Sequence, residues 1–332
     1  MFGDSVKPTS PKTIKLTHSE NISFPLVFID GVTRCGKSSL SKVIPSFTQM
    51  EHINFLSQME WLLPAYALGH VSKDYAKSHL GIYFNELTYN LLLSRNVNFR
   101  PTDQTGVANY KEPQIYFDRL KVNDGLDIIK ECQTKKNYIP FQTHDLMVNI
   151  AALNNLSLDY KMVSLWRNPV ENLYSWVTRG WGSRFRNSDP QNFTLSIKTD
   201  MEETLPWYCG LDPLPKHKLN DAEFCVYVGI NLIKRAVFNA KKNPYGNLVK
   251  FVFFEELFTN PLDEVKRISD FLGVDWTEKT QPAIYEANFP RELDKETYSQ
   301  KINFFKEHIR ESLFEDLMNM ESWYVTSKYG IE

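Results

Sequence analysis

Residues 31–38 constrain the fold more strongly than any other part of the sequence. The segment matches the pattern G-x-x-x-x-G-K-[ST], with Gly31, Gly36, Lys37 and Ser38 in the fixed positions. Glycines there let successive backbone N–H groups curl into one concavity that binds a phosphate, and Lys37 adds a positive charge. We therefore predict a phosphate-binding loop (P-loop) that holds a nucleotide phosphate. Its expected contact residues are Gly31, Thr33, Arg34, Cys35, Gly36, Lys37, Ser38 and Ser39.

The residues around this loop have the pattern of a P-loop α/β fold. The apolar run 24–29 stops at the first glycine, as a buried parallel strand does, and a helix is predicted from Ser38 to Pro45. Strands that alternate with helices predict a doubly wound, mainly parallel sheet flanked by helices. The further strands expected are 138–143, 161–166 and 249–254, and a helix follows each of the last two.

The chain is predicted to contain one domain, 22–332, preceded by a polar tail, 1–21, with little structure. Residues 57–135 mix aromatics, leucines and charges at helical spacing, which predicts a helical excursion from the sheet. A net charge of −2 argues against a general nucleic-acid binder. Four cysteines without a C-x-x-C pair, no signal peptide and no integral membrane segment lead us to expect a cytoplasmic protein.

A second candidate phosphate site follows the strand predicted to end at Trp166. Asn168 and Pro169 suit the N-cap and first turn of a helix, so Arg167 lies at the C-terminal edge of a strand, where ligands bind in open α/β sheets. Ser175 lies in the second turn of that helix. A guanidinium and a hydroxyl so placed can hold a second phosphate. They can equally be an arginine that braces the turn and an ordinary helical serine.

These residues make the chain resemble the sulfotransferases that use 3′-phosphoadenosine 5′-phosphosulfate (PAPS). That family has an Arg-[Asp/Asn]-Pro turn with a serine eight residues after the arginine, which Arg167-Asn168-Pro169 and Ser175 match. A second block, 251–273, resembles the family's strand, its Asn-Pro helix start and its Phe-Leu-Gly helix end. Phe254 stands at the place of the family's tyrosine, and the resemblance implies that it packs against the adenine.

The helix in that second block also follows from its own residues. Asn260 is predicted to cap it, Pro261 to start it and Gly273 to end it. Apolar residues at helical spacing predict one buried stripe on this helix. The stripe consists of Leu262, Val265, Ile268, Phe271 and Leu272.

A third match concerns the base. Gln142-Thr143-His144 ends a predicted strand 23 residues before Arg167, where cytosolic members have Lys-Thr-His with the histidine as base. The resemblance implies that His144 removes the acceptor's proton, and an imidazole has a pKa near working pH. Some carbohydrate sulfotransferases use a glutamate instead. Glu60 is therefore the alternative base, although a solvated helix charge is its ordinary interpretation.

Departures from the family pattern keep another function open. Arg34 stands where the family's loop has a lysine, Lys37 is additional, and no Arg-Lys-Gly motif near the C-terminus completes the 3′-phosphate site. The intact G-K-S suits an ATP- or GTP-dependent kinase of a small molecule, which also needs an acid for Mg²⁺. Glu255, and Asp118 within the sequence 117–119, are the candidates for that acid.

With this resemblance, the residues predict a sulfotransferase that moves a sulfuryl group in line from PAPS to a hydroxyl or amine. Arg34, Lys37 and the loop amides would stabilise the leaving phosphate, while Arg167 and Ser175 would select PAPS by its 3′-phosphate. We expect adenosine 3′,5′-bisphosphate (PAP) as the product, no metal, and a small-molecule, lipid or carbohydrate acceptor bound by 57–135. A kinase, or a non-catalytic nucleotide-binding protein, is the alternative.

Two further segments carry expectations. Residues 181–186 contain a glycine and two arginines, which fits a mobile basic lid over the nucleotide or a plain surface loop. Cys35 is expected at the N-terminus of a helix, where the pKa of a thiol is lowered.

Overall fold

The computed structural model of the chain describes residues 15–17, 22, 24–103, 105–187, 189–198, 203–209, 216–242, 247–292 and 294–327. The predicted tail, 1–21, lies outside the described residues except for 15–17. The strands are β1 (Leu26–Asp30), β2 (Asn54–Phe55), β3 (Ile139–Gln142), β4 (Tyr160–Trp166), β5 (Ser196–Lys198), β6 (Thr204–Pro206) and β7 (Val249–Phe253).

The helices alternate with these strands along most of the chain. They are α1 (Lys37–Val43), α2 (Gln58–Ala67), α3 (Lys73–Leu92), α4 (Pro113–Arg119), α5 (Leu126–Thr134), α6 (Ile150–Asn154), α7 (Pro169–Val177), α8 (Trp181–Arg186), α9 (Asp221–Lys241), α10 (Phe254–Thr259), α11 (Pro261–Leu272), α12 (Thr280–Glu286), α13 (Lys295–His308) and α14 (Glu311–Ser327).

Five strands form one parallel sheet in the order β2-β3-β1-β4-β7, and β5 pairs antiparallel with β6 outside it. Within the sheet, Phe28 of β1 lies opposite Phe141 of β3 and Met162 of β4. The predicted parallel sheet is thus confirmed. The sequence analysis missed β2, because a strand of two residues has no periodicity to detect.

Alternate residues of β1 are buried on opposite faces of the sheet, and each face has its own core. Leu26 and Phe28 belong to one hydrophobic cluster, together with the inner residues of α9, whereas Val27 and Ile29 belong to another, with those of α1 and α11. Helices therefore cover both faces, which confirms the doubly wound arrangement. The sequence analysis missed α9, although Asn220 begins it with a capping box that could have revealed it.

Residues 57–135 are mainly helical, as predicted, and Glu51 connects this excursion to the edge of the sheet. Its carboxylate accepts hydrogen bonds from Arg119 Nη1 and Nη2 at 2.8 and 3.2 Å and from Asn137 Nδ2 at 2.8 Å. The Tyr116 hydroxyl donates to the same carboxylate. Arg119 is thus the partner of Glu51 in a buried ion pair. Residues 117–119 therefore do not support the alternative function of a kinase.

The helix α11 follows the prediction at its ends but not in every detail. It begins at Pro261 and ends at Gly273, whose φ of 75° is the left-handed conformation that glycine favours. Asn260 occupies the N-cap position, but its side chain makes no capping hydrogen bond. Leu262, which we predicted to be buried, is 41% exposed. Both predictions were therefore wrong. Asn260 is at once the C-cap of α10 and the N-cap of α11.

Residues 181–186 form the helix α8 and not a lid or a loop, so both interpretations of that segment were wrong. The helix packs closely on α9 because Gly182 has no side chain: a Cβ there would lie 1.9 Å from the carbonyl oxygen of Asp221. Among the helices of the described residues, none combines the length and the apolar character needed to span a membrane.

Candidate functional site

The loop 31–38 leaves the carboxyl end of β1 and turns sharply into α1. Gly31 and Gly36 have φ values of 148° and 104°, which disfavour any residue with a side chain. A Cβ on Gly36 would lie 2.4 Å from the ring of Phe254, and one on Gly31 would lie 2.3 Å from the carbonyl oxygen of Leu165. Both glycines of the motif are therefore required by close packing as well as by backbone conformation.

Lys37 lies at the base of this loop and is only 3% exposed. Its Nζ donates to the carbonyl oxygen of Gly31 at 2.5 Å, and it has no salt-bridge partner among the residues that the structure describes. No side chain caps the first turn of α1, where Ser38 and Ser39 lie half-buried. A curled backbone with an uncapped helix start and a buried cation fits a bound phosphate.

The turn between β4 and α7 lies beside the loop. Asn168 Oδ1 accepts the backbone N–H of Val170 at 2.9 Å, so the predicted cap of α7 is confirmed. Arg167 Nη1 donates to the carbonyl oxygen of Arg34 at 3.1 Å, and Arg34 Nε donates to Ser175 Oγ at 3.3 Å. The structure therefore brings Arg34 next to Arg167 and Ser175, which lie more than 130 residues later in the sequence. We predicted all three residues to bind phosphate.

Thr33 and Phe254, which we also predicted to contact the nucleotide, lie at the same junction of the loop with the β4–α7 turn. The carbonyl oxygen of Thr33 accepts from Asn172 Nδ2 at 3.0 Å and from Trp176 Nε1 at 2.6 Å, which fixes the loop against α7. The ring of Phe254 packs on Gly36, and the guanidinium of Arg167 lies 4.7 Å from its centre. Such an arginine over an aromatic ring forms a cation–π contact.

Cations are crowded together around this junction. Burial lowers the pKa of Arg34, and the nearby charges of Arg179 and Arg167 lower it further. Within the described part of the chain, neither Arg34 nor Arg179 has a salt-bridge partner, whereas Arg167 pairs with Glu171 at 2.9 Å. Like charges held this close repel one another, so the arrangement favours an anionic ligand that would neutralise them.

A cleft of about 590 Å³ opens beside Arg167 and Phe254 and extends to α13. On the side of α13, Lys301 Nζ contacts both carboxylate oxygens of Glu171, at 2.7 and 2.9 Å. One carboxylate thus lies between Arg167 and Lys301, which are 134 residues apart in the sequence. The sequence analysis missed Lys301, because it belongs to no motif that we could align with the family.

The turn that carries His144 is held by Asp30, the last residue of β1. Asp30 Oδ1 accepts from Thr143 Oγ1 at 3.0 Å and from the backbone N–H of Leu146 at 2.9 Å, and Oδ2 accepts from that of Met147 at 3.0 Å. His144 is therefore fixed relative to the residue that directly precedes the phosphate loop. We had not singled out Asp30, although an acidic residue at the end of an apolar strand could have suggested it.

Glu60 lies against His144 and is not the solvated helix charge of its ordinary interpretation. Its Oε1 accepts the backbone N–H of His144 at 2.7 Å and lies 2.9 Å from Nδ1 of the imidazole. The ring of Phe55 is nearly parallel to that imidazole, with 6.5 Å between the ring centres. The two residues that we proposed as alternative bases thus form a single pair.

Burial changes the proton affinity of both members of this pair. It raises the pKa of Glu60 to about 8, against the opposing effects of the His144 N–H and of Lys37. It also lowers the pKa of His144 to about 3, and the charge of Lys37 acts in the same direction. His144 therefore does not have the ordinary imidazole pKa that the sequence analysis assumed.

Other expectations for the site need correction or find no support. Burial raises the pKa of the Cys35 thiol, so the lowered pKa that we expected was wrong. Glu255, a candidate acid for Mg²⁺, accepts the backbone N–H of Asn168 and the hydroxyl of Tyr324. Asp118, the other candidate, is exposed and pairs with Lys121. No cluster of metal-ligating side chains occurs among the described residues.

Comparisons with known proteins agree on one family. The model of the sulfotransferase domain family matches residues 27–323, which include every site residue described above. No curated protein sequence matches the chain significantly.

Solved structures similar to the chain include the sulfotransferase domain from the curacin biosynthetic pathway. It has 13% sequence identity and a TM-score of 0.44, and the match covers 91% of this chain and 98% of that chain. The sulfotransferase domain of the Synechococcus PCC 7002 olefin synthase has 13% sequence identity and a TM-score of 0.43, and the match covers 96% of this chain and 98% of that chain. Mouse sulfotransferase SULT7A1, which was solved with PAP, has 11% sequence identity and a TM-score of 0.40, and the match covers 94% of this chain and 86% of that chain.

Proposed function

Because the chain belongs to the sulfotransferase domain family, we propose that it transfers a sulfuryl group from PAPS to a hydroxyl or amine of an acceptor. The observation that carries this proposal is the junction of two phosphate-binding elements. The loop with Lys37 and the β4–α7 turn with Arg167 meet through Arg34, which contacts both Ser175 and Arg167. PAPS has phosphates at both its 5′ and its 3′ positions, so it suits two adjacent cationic sites.

Residues of the loop would hold the 5′ end of the donor. The backbone amides after Gly36, the buried ammonium of Lys37 and the guanidinium of Arg34 surround that place, and positive charge there stabilises a departing phosphate. When bound, PAPS supplies an activated sulfuryl group whose leaving group is PAP. No acid for Mg²⁺ is needed where these cations supply the charge.

Residues on the other side of the junction would recognise the 3′-phosphate. Arg167 and Ser175 are the motif residues, and we propose that Lys301 completes their site in place of the family's Arg-Lys-Gly motif. Lys301 already contacts a carboxylate that Arg167 shares, through Glu171. A cation that binds one oxyanion there has the chemistry to bind another. Phe254 would then lie at the adenosine side of the cleft.

His144 is the proposed base. Its ring lines a small cavity with Glu60, Leu195, Trp207 and Tyr208. Asp145 lines both this cavity and the one beside Gly31 of the phosphate loop. An acceptor hydroxyl in this space would give its proton to the imidazole while its oxygen attacks sulfur. A small molecule, a lipid or a carbohydrate could present that hydroxyl. All four cysteines are free and buried, which agrees with the reducing cytoplasm that we propose as the setting.

Titration calorimetry with two ligands tests the division of the donor site. PAP and adenosine 5′-monophosphate share the 5′-phosphate, and only PAP has the 3′-phosphate. Arg167→Ala should weaken PAP binding by about 1.5–3 kcal/mol and should weaken monophosphate binding much less, because a charged hydrogen bond is lost only with PAP. Arg267→Ala, which removes an exposed arginine of α11, is the matched control. Equal losses for both ligands would make Arg167 a structural brace and would contradict the proposed site.

A further inference from the structure

Glu60 and His144 are held in contact by three separate elements. Glu60 lies in the first turn of α2, while His144 lies in the turn after β3 that Asp30 of β1 fixes. The side chains are only 18% and 29% exposed, respectively. The ring of Phe55 lies nearly parallel to the imidazole, with 6.5 Å between the ring centres. The 2.9 Å contact between Glu60 Oε1 and His144 Nδ1 is therefore a property of the fold.

This contact determines which ring nitrogen of His144 can act as a base. When Glu60 is ionised, its carboxylate only accepts hydrogen bonds, so Nδ1 must carry the proton that lies between the two side chains. The lone pair of a neutral imidazole is then on Nε2. Without a carboxylate at Nδ1, either nitrogen could carry the proton, and part of the enzyme would present a protonated Nε2 to the acceptor.

The charges that face the pair come from every element packed against it. Lys37 of α1 favours the ionised carboxylate of Glu60, whereas Asp30 of β1 opposes it. The carboxyl of Asp145, in the same turn as His144, is buried, and burial raises its pKa well above the ordinary value. Burial and these nearby groups together determine how the Glu60–His144 pair titrates. The pair holds two protons at neutral pH and releases one of them near pH 8. Whether the shared proton lies on Glu60 Oε1 or on His144 Nδ1, the proton that the pair releases is the one on Nε2.

We propose that Glu60 is a positioning residue that keeps Nε2 of His144 available as the base, so that the pair and not His144 alone sets the pH dependence of turnover. This inference rests on the proposed function. In the step itself, the acceptor oxygen bonds to sulfur, its proton moves to Nε2, and the bond between sulfur and the 5′-phosphate oxygen breaks with its electron pair on PAP. The imidazolium that forms is stabilised by the carboxylate at Nδ1.

The test is ¹⁵N NMR of the full chain labelled at histidine, recorded between pH 5 and pH 9.5, with the His144 signals assigned from the spectrum of His144→Ala. In the wild type, the ¹⁵N shifts of the His144 ring should report a titration of the Glu60–His144 pair near pH 8. In Glu60→Gln the midpoint should fall by at least about one pH unit, because a buried imidazole without a carboxylate resists protonation. Glu86→Gln, which changes an exposed glutamate of α3, should leave the midpoint unchanged.

Release of PAP from PAPS in water provides the second readout. Glu60→Gln should lower the rate at least about tenfold and move the alkaline rise of the pH–rate profile with the NMR midpoint. If Glu60→Gln does not fold, Glu60→Asp keeps the charge at a greater distance and should show an intermediate midpoint. An unchanged midpoint in a folded variant would overturn the inference. If the midpoint moves but the wild type releases no PAP, the pair stands and the proposed function fails.

Discussion

Glu51 and Glu60 have opposite electrostatic surroundings, although both follow α1 in the sequence and both are largely buried. Around Glu51, an arginine, a tyrosine hydroxyl and an asparagine amide donate to the carboxylate. Burial alone would raise the pKa of Glu51, but these partners lower it below its ordinary value. Among the residues that the structure describes, Glu60 has only the His144 N–H and ring as direct partners, and its pKa is raised to about 8.

The difference separates a structural carboxylate from one suited to proton transfer. A buried charge with all its hydrogen bonds made holds elements together and does not exchange protons near neutral pH. A buried carboxylate with few partners retains a high proton affinity, which costs stability and places its titration in the working range of an enzyme. Glu51 thus connects the helical excursion to the sheet, whereas we propose that Glu60 serves His144, the proposed base.

The largest expected effect follows removal of the partner of Glu60. His144→Ala should lower the rate of PAP formation from PAPS by roughly 10²–10⁴-fold, the usual contribution of a general base, with PAP affinity nearly unchanged. Single-turnover kinetics and calorimetry measure the two quantities. His70→Ala, which changes an exposed histidine at the end of α2, is the control. Wild-type turnover in His144→Ala would remove His144 from the mechanism.

Removal of Glu51 should act on stability instead. Glu51→Gln leaves Arg119 buried without its counter-charge, so the free energy of unfolding should fall by about 3–5 kcal/mol, as measured by urea denaturation. Below the unfolding transition, PAP affinity should not change. The double variant Glu51→Gln/Arg119→Met should recover part of the loss, because it removes the uncompensated charge. A loss of turnover without a loss of stability would place Glu51 in the catalytic site.

A third glutamate, Glu171, lies between the two extremes because its partners are the cations proposed to bind the 3′-phosphate. Lys301→Met should weaken PAP binding by about 1.5–3 kcal/mol and adenosine 5′-monophosphate binding by much less. Lys306→Met, an exposed position on the same helix, is the matched control for calorimetry. Similar losses for both ligands would mean that Lys301 only anchors Glu171 and does not contact the 3′-phosphate.

The smallest effect concerns the stability of Glu60→Gln at different pH values. The folded pKa of Glu60 is raised above its ordinary value, so the stability it contributes is present below about pH 4.5 and is lost as the pH rises through about 8. Glu60→Gln should therefore raise the free energy of unfolding by roughly 1–2 kcal/mol at pH 9 and by much less at pH 4.5. A variant that is less stable than the wild type at pH 9 would assign Glu60 to the same structural class as Glu51.

The sequence predicted the parts of the molecule whose chemistry is local. The loop 31–38 and the turn from Arg167 to Ser175 each lie within one strand–turn–helix unit, so composition, spacing and family resemblance together locate them. The sheet follows from its apolar runs for the same reason. What these patterns predict is confirmed for the four longer strands of the parallel sheet.

Contacts across the fold could not be predicted in this way. Glu60 meets His144 only because α2 packs beside the turn after β3, and Lys301 reaches Glu171 from α13. The pKa values of Glu60 and His144 depend on burial, which no motif encodes. From the sequence we therefore predicted His144 and Glu60 as alternative bases, whereas in the structure they form one pair. The C-terminal part of the 3′-phosphate site could not be assigned from the sequence.

The identity of the donor is tested most directly by a thermal-shift comparison of two nucleotides. Without Mg²⁺, PAP should raise the melting temperature through its linkage to the native state, whereas ATP, which lacks the 3′-phosphate, should raise it much less. The same comparison with Mg²⁺ present should give the same order. Strong stabilisation by ATP that requires Mg²⁺, with no stabilisation by PAP, would contradict a PAPS-dependent sulfotransferase.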